Sequence, residues 1–199
     1  MGTRRTAAAV LVLAVVAGCG GSGSKGYARE DLDAIVLTPF DAPDGTVYSR
    51  GASGFQDLGT FAMDHTELGL LRDDGFVVGH GVLFAPLGHQ EYVADDDLGK
   101  NAPFAQGIAA LFETPEGASS TLRRFVTAFM DGQLRDGRFV DPPGYGDESF
   151  ALEGLAAGGT RAELLVWRRE NLVLAVFGAG KVPPAEVERL AALVDGRAS

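Results

Sequence analysis

The run Leu172-Val173-Leu174-Ala175-Val176-Phe177 narrows the folds open to this 199-residue chain more than any other segment. A strand presents alternate side chains to opposite faces, so an unbroken apolar run of this length is apolar on both. Such a strand belongs in the middle of a sheet with cover on each side. It pairs most simply with Arg161 to Trp167 as a hairpin, joined by Arg168-Arg169-Glu170-Asn171.

The remaining elements supply the sheet and its cover. Phe76 to Ala85 reads as a strand with Phe76, Val78, His80, Val82 and Phe84 alternating on one face and Val77, Gly79, Gly81 and Leu83 on the other. Phe104 to Phe112 is its expected antiparallel partner, across a polar acidic loop from Leu87 to Lys100, and Glu148 to Leu152 is a further short strand. Thr114 and Pro115 suit the cap and first position of a helix reaching Leu134, in which Leu122, Phe125, Val126, Phe129 and Met130 recur at i, i+3, i+4, i+7 and i+8. That stripe is read as core, because the opposite face is too weakly basic for a helix lying in a membrane interface.

Asp64 with Glu67 three residues on opens a helix that ends at Gly75, and Asp31 to Leu37 is a short apolar element before it. Pro39, Pro43 and Asp44-Gly45 mark turns, and Pro142-Pro143-Gly144 breaks the chain again. Pro183-Pro184 opens a last helix with Val187, Leu190, Ala191 and Val194 inward. The expected fold is α+β: one domain over residues 27–199, an antiparallel sheet with packed helices, and no internal repeat.

The first 26 residues have a different character. Arg4 and Arg5 precede an uncharged apolar stretch, Ala7 to Val16, which Ala17-Gly18 closes with small side chains: the three parts of an export signal. The stretch is too short to span a bilayer, which needs ~20 apolar residues. Sec export is expected over the twin-arginine route, because Ala7 and Ala8 stand where that signal has bulky apolar residues. Val16-Ala17-Gly18-Cys19 resembles the lipobox of bacterial lipoproteins, which implies diacylglycerol on the Cys19 thiol and removal of residues 1–18. The alternative, a buried free thiol, has no core to enter, since Gly18, Gly20, Gly21 and Gly23 surround it. Residues 19–26 then form the lipidated cysteine and a Gly/Ser-rich tether, with an r.m.s. reach of ~5–6 Å × √n. Two or three acyl chains, as that family carries, hold such a protein firmly.

Cys19 is the chain's only cysteine, so the exported body has no disulfide and is stabilised by packing. Without Arg4 and Arg5 the formal charge of −10 becomes −12 on 181 residues. That sign disfavours nucleic acid, whose binding needs a cationic footprint. It also repels an anionic membrane surface within a Debye length of ~8 Å. The expected partners are the membrane, through the anchor, and an apolar small molecule or an envelope protein. The residue bias, poor in lysine, asparagine and isoleucine, looks like that of a high-GC bacterium.

The order from Phe104 to Arg197 resembles that of small actinobacterial cell-envelope lipoproteins. It runs as strand, long amphipathic helix, loop with Gly146-Asp147-Glu148, hairpin holding Val166-Trp167-Arg168, and closing helix. It is similar also to extracellular sensor domains attached to some bacterial membrane kinases. The resemblance implies a binding or sensing module and transfers no functional residue.

Signs of catalytic chemistry are mostly negative. A catalytic set would have to recruit His65, His80 or His89, and Gly51-Ala52-Ser53-Gly54 lacks the spacing of a nucleophile elbow. No phosphate-cradling glycine motif occurs, so neither an enzyme nor a cofactor is expected. His80, His89, Glu91 and Asp95-Asp96-Asp97 bring together metal-ligand types, but Asp95-x-Asp97-x-Gly99 is followed by Lys100 and lacks the distal glutamate of a calcium loop. A solvated acidic loop is the preferred reading, with no metal. For an apolar ligand the candidates are Gly79, Gly81, Phe84, Phe104 and Trp167, with Gly107 and Ala109 as further small positions. The competing reading, that these rings simply fill the core, comes first. Two functions follow: an anchored binding or sensing module, or an accessory subunit docking on a membrane complex.

Overall fold

The computed structural model describes residues 26–62, 64–88, 102–156 and 159–199. Its centre is the expected hairpin, lengthened at both strands: β7 is Arg161–Arg169 and β8 is Leu172–Ala179. With β1 (Thr46–Tyr48), β2 (Gly54–Gln56), β3 (Phe76–Pro86), β4 (Phe104–Phe112), β5 (Arg135–Val140) and β6 (Glu148–Leu155) they form one eight-stranded antiparallel sheet. Its order is β1-β3-β4-β8-β7-β6-β5, and β2 joins β1 along the outer side of β3. β8 lies between β4 and β7, as its two apolar faces require.

Each face has its own core. On the first, Val78, Val82, Phe84, Ala105, Leu165, Trp167, Leu174 and Val176 pack against Leu32 to Leu37 and the final helix. On the second, Ala110, Phe112, Leu164, Val166, Val173 and Ala175 pack beneath the remaining helices. Five α-helices stand among the described residues: α1 (Leu32–Ile35), α2 (Leu58–Phe61), α3 (His65–Asp73), α4 (Pro115–Gly132) and α5 (Pro184–Arg197). The caps read from sequence are made. Asp64 accepts from the Glu67 amide at 2.8 Å, and Thr114 Oγ1 accepts from Gly117 at 3.1 Å.

Topology explains why α4 is long. The chain must pass from β4 to β5, four strand positions away, which is ~19 Å at ~4.8 Å per strand. An 18-residue helix spans ~27 Å and covers that crossing, laying Leu122 and Val126 on the second core. On the other face, α5 buries Val187, Leu190, Ala191 and Val194, the four positions its spacing predicts.

Three features depart from the sequence reading. β1 and β2 follow the turns at Pro43 and Asp44-Gly45, where no strand was expected. β5 was not anticipated, because Arg135-Asp136-Gly137-Arg138 is polar. The alternation of β3 is broken by a bulge between Phe76 and Val78, so Phe76 pairs with Phe112 and joins the second core while Val78, Val82 and Phe84 stay on the first.

Candidate functional site

The residues proposed to line a pocket divide between the two faces. Phe84 and Trp167 are fully buried in the first core, and Phe104, 8 % exposed, belongs to the second. Gly79 and Gly81 sit on the second face as well. A methyl group at Gly79 would overlap the Phe61 ring, and one at Gly81 would lie 3.4 Å from the Gln56 side chain. On the first face the space over Gly107 holds Leu37, whose Cδ1 is 2.9 Å from where a Cβ would stand. The glycine gaps are therefore filled by side chains from α2, β2 and the segment after α1. Phe61 stacks on Phe76 with centroids 4.8 Å apart, so a ring from a short helix occupies the place considered for a ligand.

Polar groups without partners gather on the first face instead. Glu163 on β7 is 8 % exposed, and its Oε2 has no hydrogen-bond partner among the described residues. It stands opposite Glu153 of β6 and Gly178 of β8 in the strand register, and Arg138 of β5 continues the row beyond Glu153. Gly178 is small because α5 settles there: a Cβ would overlap Val187. Glu163 is thus shut beneath the start of α5, at a surface crease too small to hold a water molecule, lined by Arg161, Ala162, Val182 and Pro184 beside Glu163 and Gly178.

Burial pushes the Glu163 carboxyl up to about 7, and the carboxylates of Glu188 and Glu153 push the same way against Arg161. Glu153 behaves oppositely. The Arg138 guanidinium bonded to it outweighs its slight desolvation, and with Arg161 holds it below the usual carboxylate range. Two facing glutamates are thereby separated into one ionised partner of arginines and one that holds its proton to near neutrality.

The second cluster surrounds His80. Its Nε2 lies 3.5 Å from Asp33 Oδ1, while Nδ1 is buried without a partner among the described residues. Phe55 meets the imidazole edge-on at 4.8 Å, and the Arg29 guanidinium carbon lies 4.8 Å from the Phe55 ring centroid. Burial lowers the His80 pKa, with Asp33 pulling weakly the other way, so the ring is neutral at pH 7. His65 is the exposed first residue of α3. His89, Glu91, Asp95 to Asp97, Gly99 and Lys100 lie outside the described residues, as do Val16, Ala17, Gly18 and Cys19. Among the described residues no group of three or more His, Cys, Asp or Glu side chains is placed to hold a metal ion.

A further constellation was not singled out from the sequence. Asn171, read only as part of a turn, accepts from the Tyr27 amide at 2.8 Å and donates to the carbonyls of Tyr27 at 3.2 Å and Phe112 at 2.8 Å. The Tyr27 hydroxyl donates to the Ala198 carbonyl. The start of the folded body is thus tied to the central hairpin and to the chain's end. Asp41 fastens the next segment: Arg197 grips both its carboxylate oxygens, and Arg189 donates to its carbonyl at 2.9 Å. An asparagine between two strands was the one available sign of the first tie, because its amide can stand in for backbone at a turn.

An antiparallel sheet covered on both faces, with an aromatic second core and titratable groups under the first, defines the architecture to be matched among known proteins. The chain matches no family model and no curated protein. Its fold is similar to the crystal structure of the extracellular domain of PknH from Mycobacterium tuberculosis, with a TM-score of 0.55 at 13% identity. The match covers 88% of this chain and 98% of that one, so the likeness is not confined to one motif. No helix among the described residues is long and apolar enough to cross a membrane.

Proposed function

We propose that the chain is a lipid-anchored, extracytoplasmic, non-catalytic module that binds or senses a component of the cell envelope. The observation that carries this reading is the pairing of an export signal closed by Val16-Ala17-Gly18-Cys19 with a body whose fold is similar to an extracellular domain over nearly its full length. The Gly/Ser tether between them suits a module held at the membrane rather than inserted in it. With Phe61 over Gly79 and Leu37 over Gly107, an apolar envelope molecule would enter either core only by displacing those side chains. Recognition is therefore assigned first to the outer surface.

The alternative, an accessory subunit docking on a membrane complex, draws on two exposed rings. Phe40 is 98 % exposed on a turn whose Thr38 and Asp41 are hydrogen-bonded to each other, and Phe139 is 58 % exposed on the edge strand β5. A rigidly held aromatic is a common anchor of protein interfaces.

Anchoring is tested by mass spectrometry of the native amino-terminal peptide and by fractionation of Cys19→Ala. Acylated Cys19 in membranes, with the variant retained as a soluble or unprocessed form, is the expected result; an unmodified thiol overturns the reading. For the body, residues 27–199 are presented with envelope lipid extracts and, separately, with crosslinkable membranes. A co-purifying lipid favours the binding module, and one stoichiometric protein partner favours the accessory subunit.

A further inference from the structure

The sheet has two distinct ends. At one lie Tyr27, the β7–β8 turn at Glu170-Asn171, the end of β4 at Phe112, and Ala198 at the close of α5. At the other lie Pro86, Phe104, Leu155, Arg161 and Ala179, because Phe104 pairs with Ala179 while Leu111 pairs with Leu172. β8 alone separates the two ends by roughly 25 Å, at ~3.4 Å per residue.

The tether leaves from the first end, and the hydrogen bonds fix where. A Cβ on Gly26 would stand 2.8 Å from Asn171 Oδ1, so the folded body begins against that side chain, and only Gly20 to Lys25 separate Gly26 from Cys19. Seven chain steps reach ~15 Å r.m.s. and at most ~25 Å when fully extended. Turning the far end toward the bilayer would need the linker stretched back along the whole body. Lying flat is within reach, and would hold Glu116 and Lys181, exposed at opposite ends, at similar distances from the lipid.

Resting on the lipid-anchor reading, we infer that the domain stands on the membrane with its Asn171 end inward and the end marked by Pro86, Phe104, Leu155, Arg161 and Ala179 outward. The membrane-proximal end carries Glu113, Glu116, Asp147, Glu170 and Asp195 against Arg168 and Arg169, and so faces the headgroups without adhering to them. The outward end carries Arg161 and Lys181 beside the buried Glu163.

The test uses full-length acylated protein in phosphatidylcholine–phosphatidylglycerol vesicles that carry a headgroup energy acceptor. Because Cys19 is blocked by lipid, Glu116→Cys and Lys181→Cys each offer a single labelling site, both exposed and at opposite ends. Energy transfer severalfold stronger from position 116 than from 181 is expected. Equal transfer, or the reverse order, in vesicle-bound protein overturns the orientation while leaving the anchor intact. Protein that does not float with the vesicles overturns the anchor reading and the orientation with it. Inserting twelve Gly/Ser residues after Gly21, within the tether sequence, should erase the contrast; an undiminished contrast means the short tether does not orient the domain and sinks the inference. Asn171→Ala should narrow the contrast in the same direction, with circular dichroism checking that it folds.

Discussion

The two faces of the sheet are built from different chemistry. The second is dominated by rings: Phe61, Phe76, Phe104, Phe112, Phe125, Phe129, Phe150 and Phe177 pack there, several edge-to-face. The first holds Phe84 and Trp167 but also Glu163 Oε2, His80 Nδ1 and the Trp167 indole N–H, each without a hydrogen-bond partner among the described residues. Buried polar groups without partners are costly, and a disulfide-free domain of this size gains nothing structural from keeping them. The first face, though it buries the larger apolar cluster, is therefore the one whose contribution to stability is coupled to the ionisation of Glu163 and His80.

The largest effect expected is on the aromatic side. Phe112→Ala should destabilise the domain by ~3–5 kcal/mol in denaturant unfolding, since the ring is fully enclosed and contacts Phe76. A loss below ~1 kcal/mol would mean that the second face is loosely packed and would break the contrast.

Glu163 gives the next largest. Its folded-state pKa of about 7 lies above the ordinary 4.5, so the folded protein holds this proton longer than the unfolded chain does. Its contribution is complete below pH 4.5 and lost as pH rises to about 7. Over that window the stability lost is about 2–3 kcal/mol, each pH unit between the two values being worth about 1.36 kcal/mol before the surroundings of the carboxylate relax. Glu163→Gln should flatten that part of the stability-versus-pH curve; an unchanged curve would show that the carboxyl ionises without cost to the fold.

Gly79→Ala should cost ~1–3 kcal/mol, because the new methyl forces the Phe61 ring away and overpacks the second face. If the variant is neutral, α2 moves aside easily, and the gap considered for a ligand becomes accessible after all. The smallest effect concerns His80. NMR titration should find its imidazole below the ordinary 6.5, and Asp33→Asn should lower it slightly further, because Asp33 favours the charged form. That depressed pKa removes stability as pH falls below 6.5, the opposite sense to Glu163.

Much of the fold was legible because its central elements obey one period each. Leu172 to Phe177, the α4 stripe and the inward set of α5 all lie where alternation or 3.6-residue spacing puts them. Edges were not legible. β1 and β2 are three residues each, too short to show alternation, and β5 is a polar edge strand with a bulge at Asp136-Gly137. The candidate pocket failed to converge for a reason of register. Gly79 pairs with Ala110 and Gly81 with Ile108, so Gly107 and Ala109 lie on the opposite face from both. Glu163 escaped notice because a carboxylate near the start of a strand reads as solvated, although it shares a face with Leu165 and Trp167 and the seating of α5 on Gly178 closes it in.

The tie between Tyr27 and Asn171 also decides how the molecule takes a load. Under the proposed lipid anchor, a pull exerted on the body from its amino-terminal side runs along the strands, where neighbouring ladders resist together in shear, but it first meets the few hydrogen bonds at Tyr27. These should part before any strand does, freeing Gly26 to Asp31 and lengthening the leash by ~20 Å at full extension. Force spectroscopy between the lipid and a handle at Lys181 should register this small step ahead of the main rupture, and Asn171→Ala should abolish it.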